Sequence, residues 1–123
     1  MQTLVISGGS SGIGKATASL FAERGWCVFE LSRHGVSVTG EGLPVTGKII
    51  HIFCDVCSEE STRAAIAEVL KQTDHIDVVI SNAGYGISGS VEFTNIPDAE
   101  HQMDVNFMGA VRFTQAVLPQ LRK

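Results

Sequence analysis

The chain has 123 residues and a formal charge of −4, from 9 Lys and Arg against 13 Asp and Glu. That length holds one domain or part of one, and 44% apolar with 18% charged residues is the balance of a globular chain, so wholesale disorder is excluded. The mild acidity leaves no electrostatic footprint for a nucleic-acid backbone, and no apolar run approaches the roughly 18 residues that a membrane span requires.

Residues 3–7 form a short apolar run stopped by Gly8 and Gly9, which reads as a buried strand. Ile13, Ala16, Thr17, Leu20 and Phe21 then recur at three and four residues and predict one face of a helix, with Gly25 suited to its C-terminal cap. Residues 27–31 read as a second strand and residues 48–54 as a third. Between them, residues 34–47 show no helical period and read as a loop or small hairpin. Ser58 is a candidate N-cap for a helix whose first turn holds Glu59 and Glu60 and whose buried stripe is Thr62, Ala65, Ile66, Val69 and Leu70. Residues 76–80 predict a fourth strand. Pro97 fits the first turn of one long last helix, with Met103, Phe107, Ala110, Val111, Thr114, Val117, Leu118 and Leu121 on its apolar face. Strands apolar on both faces, alternating with helices, imply an α/β doubly wound parallel sheet, and right-handed crossovers favour the strand order 3-2-1-4. Folded, a single chain of this mass exposes about 6,400 Å².

The turn between the first strand and the first helix runs Gly8, Gly9, Ser10, Ser11, Gly12, Ile13, Gly14. Small residues there let backbone N–H groups approach a phosphate, and the helix N-terminus adds partial positive charge. Two nucleotide motifs compete. Gly9, Gly14 and Lys15 nearly match the phosphate loop of nucleotide hydrolases, but Ala16 stands where that loop needs a hydroxyl for magnesium. Gly8, Gly12 and Gly14 match a variant of the dinucleotide fingerprint.

Together with three motifs further along the chain, that variant resembles the short-chain dehydrogenase/reductase family. The family's T-G-x-x-x-G-I-G stands here from Ser7 to Gly14, with Ser in the first place. Its Asp-Val after the third strand matches Asp55 and Val56. Its N-N-A-G after the fourth matches Ser81, Asn82, Ala83 and Gly84, and its mid-helix Asn matches Asn106. The resemblance spans nearly the whole chain. It implies a Rossmann-type domain in which Gly8, Ser10, Ser11, Gly12, Ile13 and Gly14 cradle the cofactor's phosphates. Asp55 accepts from the adenine amino group beside the Val56 N–H, and Asn82, Ala83 and Gly84 line the nicotinamide ribose side. Asn106 is the catalytic residue present, its backbone carbonyl positioning a water in a proton relay.

Cofactor choice falls at the end of the second strand, where an acid would accept the ribose 2′-OH of NAD and an arginine would hold the 2′-phosphate of NADP. Ser32 sits where NAD-preferring relatives carry the acid and Arg33 follows, so NADP(H) is expected over NAD(H). Glu30 is the rival acid if the strand ends two residues earlier. The pair Cys54 and Cys57 lacks the two further ligands of a closed zinc site, and no metal is expected. Trp26 and the phenylalanines read as core or helix-end packing, and His75 and His101 as surface residues. The family's catalytic Ser and Tyr-x-x-x-Lys are missing, because Tyr85 is the single tyrosine and Gly89 stands four residues on.

The resulting expectation is the cofactor-binding part of an oxidoreductase acting on a small carbonyl or alcohol substrate. Relative to the family the chain is incomplete, and it is inactive alone. Its partners include no nucleic acid or membrane, and its last helix resembles one the family uses to form dimers. The N-terminus, without a basic stretch, is not a signal peptide, and 3 cysteines, an odd count, suggest reduced thiols in the cytoplasm. The alternatives are a non-catalytic dinucleotide-binding or regulatory module and, disfavoured by Ala16, a phosphate-loop nucleotide binder.

Overall fold

The computed structural model describes residues 1–38 and 47–123. Strands β1 (Thr3–Ser7), β2 (Cys27–Ser32), β3 (Lys48–Phe53) and β4 (Val78–Ser81) form one parallel sheet in the order β3-β2-β1-β4. This is the expected doubly wound arrangement. Strand β2 runs one residue further than predicted, through Ser32, and β4 is shifted toward its C-terminal end. The predicted loop over residues 34–47 falls largely outside the described residues. Of its described flank, Val38 makes an antiparallel bridge with Ile49.

The sheet is apolar on both faces because both faces are covered. On one face Leu4, Ile6, Val28 and Ile49 pack against Ala18 and Ala22 of helix α1 (Gly12–Glu23). On the other, Val5, Phe29, Leu31 and Ile52 pack against two helices. Helix α2 (Glu59–Gln72) contributes Ala65, Ile66 and Val69, and helix α4 (Gly109–Leu121) contributes Phe113 and Val117. Helix α2 is capped as predicted, with the Ser58 hydroxyl accepting from the Ser61 N–H at 3.1 Å. Gly25 follows α1, its N–H donating to Ala22 at 3.0 Å.

Two apolar stripes differ from prediction. In α1 the buried residues are Gly14, Ala18 and Ala22, whereas Ile13 is 81% exposed and Leu20 also faces outward. The small residues let the helix axis lie close to the sheet, so Ile13 and Leu20 are turned away from it while Phe21, half-buried as predicted, packs at the edge of the core. The long last helix is not one regular helix. Helix α3 (Ile96–Met103) passes into a π-helical turn (Asp104–Met108) and then α4. Across the wider turn the phase shifts: α4 buries Gly109, Phe113 and Val117, whereas Met103 at the end of α3, Phe107 in the turn and Leu121 at the end of α4 are exposed. Phe53 and Phe93 are likewise exposed, against the expectation of core packing, while Trp26 packs edge-on against Phe21 at 4.9 Å. The chain exposes 7346 Å², above the scaling expectation, in keeping with these exposed apolar side chains. Among the described residues, no helix is long and apolar enough to cross a membrane.

Candidate functional site

The carboxyl ends of β1 and β4 lie side by side where the strand order reverses, which is where open α/β sheets bind ligands. A cleft of about 910 Å³ opens there, within the range of small-molecule and cofactor sites. Its floor is the glycine-rich turn, through Gly8, Ser10, Ser11, Gly12 and Ile13. This turn is tied to both neighbouring strands. The Gly8 N–H donates to Leu31 at 2.8 Å, and the Asn82 side-chain amide donates to the Gly8 carbonyl at 3.0 Å. The Ser7 hydroxyl accepts from the N–H groups of Asn82 and Ala83 at 3.0 and 3.1 Å.

Gly14 does not line the cleft. It is buried directly beneath the Asn82–Gly8 bond, where a Cβ would overlap the Gly8 carbonyl oxygen and the Asn82 amide nitrogen. Its role is to let α1 start that close to β4. The N-terminus of α1 has no side-chain cap, whereas α2 and α3 are capped by Ser58 and Asn95. The first amides of α1 therefore keep their hydrogen-bonding capacity at the edge of the cleft. Lys15 comes next, but Ala16 is exposed and the Thr17 hydroxyl donates to Ile13 at 2.8 Å, so neither offers the magnesium ligand of a phosphate loop.

One wall comes from the ends of β2 and β3. Ser32, Arg33, Asp55 and Val56 all line it. The Asp55 carboxylate accepts from the Cys57 N–H at 2.9 Å, so one of its oxygens holds the turn before α2, and the other has no hydrogen-bond partner among the described residues. Glu30 is elsewhere. It is 2% exposed inside β2, with Oε2 2.7 Å from His51 Nδ1, and it is absent from the cleft lining. The opposite wall holds Asn82, Ala83, Gly84 and Tyr85.

Asn106 lies in the π-helical turn behind that wall and does not line the cleft. Its side chain clamps the backbone of Tyr85, accepting from the N–H at 2.9 Å and donating to the carbonyl at 2.6 Å. A Cβ on Gly84 would lie 2.9 Å from Asn106 Oδ1, so this clamp also requires a small residue at 84.

Sequence reasoning missed Leu31, His34, Cys54, Cys57, Tyr85, His101 and Val105, which also line the cleft. Their side chains converge only through the fold, and no local pattern marks them. The Cys57 thiol is pushed up to about 11 by burial and by its hydrogen bond to Asp104. Burial also raises Cys54. Arg112 donates to Asp104 at 2.6 Å and holds its carboxyl below the usual range. Ligand atoms of Cys57, His101 and Asp104 lie within 4.8 Å of one another. Within this group, Asp104 is already paired with Arg112 at 2.6 Å. His101 and His75 are both exposed, as expected, and each has neighbours: His101 borders the cleft, and the His75 ring bonds Asp74 at 2.7 Å and the Met1 carbonyl at 3.0 Å.

Comparison with known proteins gives a consistent picture. Residues 2–123 match the family model described as short chain dehydrogenase. The chain is 37% identical over 122 residues to a 3-ketodihydrosphingosine reductase of Bacteroides thetaiotaomicron, covering 99% of this chain and 43% of that protein. It is similar to an alcohol dehydrogenase of Thermococcus sibiricus, solved with 5-hydroxy-NADP. There the TM-score is 0.84 and the identity 26%, over 99% of this chain and 54% of that one. A 3-oxoacyl-[acyl-carrier protein] reductase from Brucella melitensis, solved with NAD, gives a TM-score of 0.84 at 28% identity, over 98% and 49% of the two chains. The chain spans less than half the length of the curated relatives it matches.

Proposed function

Because the chain belongs to the short chain dehydrogenase family, we propose that its cleft binds NADP(H) in preference to NAD(H), in a protein that moves hydride to or from the carbon of a small carbonyl or alcohol. The nicotinamide supplies the hydride chemistry, and the protein supplies binding and orientation. In this reading the glycine-rich turn and the uncapped start of α1 hold the pyrophosphate. Asp55 and Val56 take the adenine edge. Asn82, Ala83 and Gly84 border the nicotinamide ribose, held in place by Ser7 and, through Tyr85, by Asn106.

The observation that carries the cofactor choice is the end of β2. Arg33 lines the cleft beside Ser32, and the only acid of β2, Glu30, is buried against His51. A guanidinium pairs with a phosphate in a charge-assisted fork, and each such bond contributes about 1.5–3 kcal/mol. Arg33→Ala is therefore expected to weaken NADPH by roughly ten- to a hundredfold and to leave NADH unchanged. Equal loss of both, or of neither, contradicts the assignment.

Tyr85 is the single tyrosine, and Gly89 stands where the family's lysine would come after it. The 123-residue chain is accordingly expected to bind cofactor without turning over a carbonyl substrate; measured turnover by it would contradict this. Self-association through the last helix belongs to the same reading, prompted by the exposed Met103, Phe107 and Leu121. Sedimentation analysis tests it, a monomer being the contrary result. A cytoplasmic location is proposed on the odd count of 3 cysteines, of which none is bridged to another.

A further inference from the structure

Glu30 is a costly residue for its position. A carboxylate 2% exposed in the middle of a parallel strand, in register between Ile6 and His51 and with Oε1 buried and unpartnered among the described residues, destabilises where an apolar side chain would not. It is the one such buried polar side-chain atom among the described residues. Two backbone segments rest directly on it. A Cβ on Gly9, in the glycine-rich turn, would lie 2.6 Å from Glu30 Cγ. A Cβ on Gly35, in the loop after β2, would lie 2.5 Å from Glu30 Oε2 and 2.7 Å from His51 Nδ1. The same loop is tied to His51 a second time, the His51 N–H donating to the Ser37 hydroxyl at 2.9 Å.

We propose that the buried Glu30–His51 pair is a positioning pillar for the adenosine end of the cleft, fixing the distance between the glycine-rich turn and the loop that carries Arg33. Glu30 is long enough to touch both segments at once, and its bond to His51 stops it from folding away from either. The turn that takes the pyrophosphate and the arginine that takes the 2′-phosphate are then set against a common support, as two halves of one ligand require. This rests on the reading of the cleft as an NADP(H) site.

The test is a set of double-mutant cycles read as Kd for NADPH and NADH. Gly35→Ala should displace the Arg33 loop and weaken NADPH by about tenfold, sparing NADH, since an overpacked methyl of this kind costs about 1–3 kcal/mol. Gly9→Ala should displace the turn and weaken both cofactors. Glu30→Ala alone should weaken NADPH, and in that background, with Cγ and Oε2 gone and the His51 ring released, each added methyl should cost much less than it does in the parent, so the pairs are non-additive. A merely structural role would lower the melting temperature and leave the NADPH and NADH affinities of the folded Glu30→Ala and Gly35→Ala proteins unchanged.

Additive losses in the doubles, or unchanged binding in both glycine variants, would overturn the pillar. Should a glycine variant leave too little folded protein to titrate, recovery of the folded fraction in its double with Glu30→Ala reads the same coupling, and no recovery overturns it. Arg33→Ala, run alongside, separates the two ideas. If it weakens NADPH while the cycles are additive, the pillar alone fails. If it has no effect, the NADP(H) reading fails, and the Gly9→Ala cycle for NADH still decides the pillar.

Discussion

Replacing Gly14 with alanine puts one methyl group at the most crowded point of the nucleotide turn. The added Cβ overlaps the carbonyl oxygen of Gly8 and the side-chain nitrogen of Asn82, the two atoms that bond each other at 3.0 Å. One of these is backbone, so a change of rotamer cannot relieve it. The residue is buried and helical, with α1 held to the sheet by Ala18 and Ala22 one and two turns on, so the helix cannot simply lift. Forcing a methyl into such a site costs about 1–3 kcal/mol, and loss of the Asn82–Gly8 bond adds about 1 kcal/mol. The expected destabilisation is therefore about 2–4 kcal/mol by urea-induced unfolding, with NADPH binding lost in parallel. Gly12 is the control: its φ is +55° but a Cβ there meets open space, so Gly12→Ala carries only backbone strain of about 1–2 kcal/mol. A Gly14→Ala protein within about 0.5 kcal/mol of the parent, or one less affected than Gly12→Ala, would refute the reasoning.

Phe113 is fully buried between α4 and the sheet, so Phe113→Ala should cost about 3–5 kcal/mol, read by the same unfolding titration. Asn106→Ala removes both bonds to the Tyr85 backbone and should loosen the 82–85 wall; amide exchange at Tyr85 is expected to speed up sharply while that of β1 is unchanged. The His75 pKa is raised above 6.5, chiefly by Asp74, so its contribution is complete below about pH 6.5 and is lost as pH rises through the folded value. The Asp74 pKa is lowered below 3.8, chiefly by His75, so its contribution holds above that value and is lost as pH falls through the folded one. The small stabilisation of this pair is thus greatest between the two, and His75→Ala should flatten the decline in melting temperature from about pH 6 to about pH 8. An unchanged decline would show that the pair does not hold the N-terminal strand.

The sheet was readable in the sequence because parallel strands buried on both faces are rich in apolar residues, a pattern clearest in residues 3–7, which are all buried, and interrupted in β3 by Lys48 and His51. Strand order followed from crossover handedness. The cleft residues were readable where a motif ties them to a strand end, as with Asp55 and Asn82. What escaped depends on contacts distant in sequence. The buried stripe of α1 consists of Gly14, Ala18 and Ala22, residues whose small size hides them from a search for large apolar groups. The π-helical turn at Asp104 offsets the stripe of α4, and nothing in the periodicity before it announces the offset. Glu30 could be seen as an acid near the cofactor, but only its register opposite His51 places it beneath the turn rather than in the cleft.

The most direct test is calorimetric titration of the protein with NADPH, repeated with magnesium-ATP as competitor. Saturable one-site binding of NADPH that magnesium-ATP does not displace is the predicted result. No binding of NADPH or NADH, together with saturable magnesium-dependent binding of ATP, would contradict the assignment of the cleft between β1 and β4 to a nicotinamide dinucleotide.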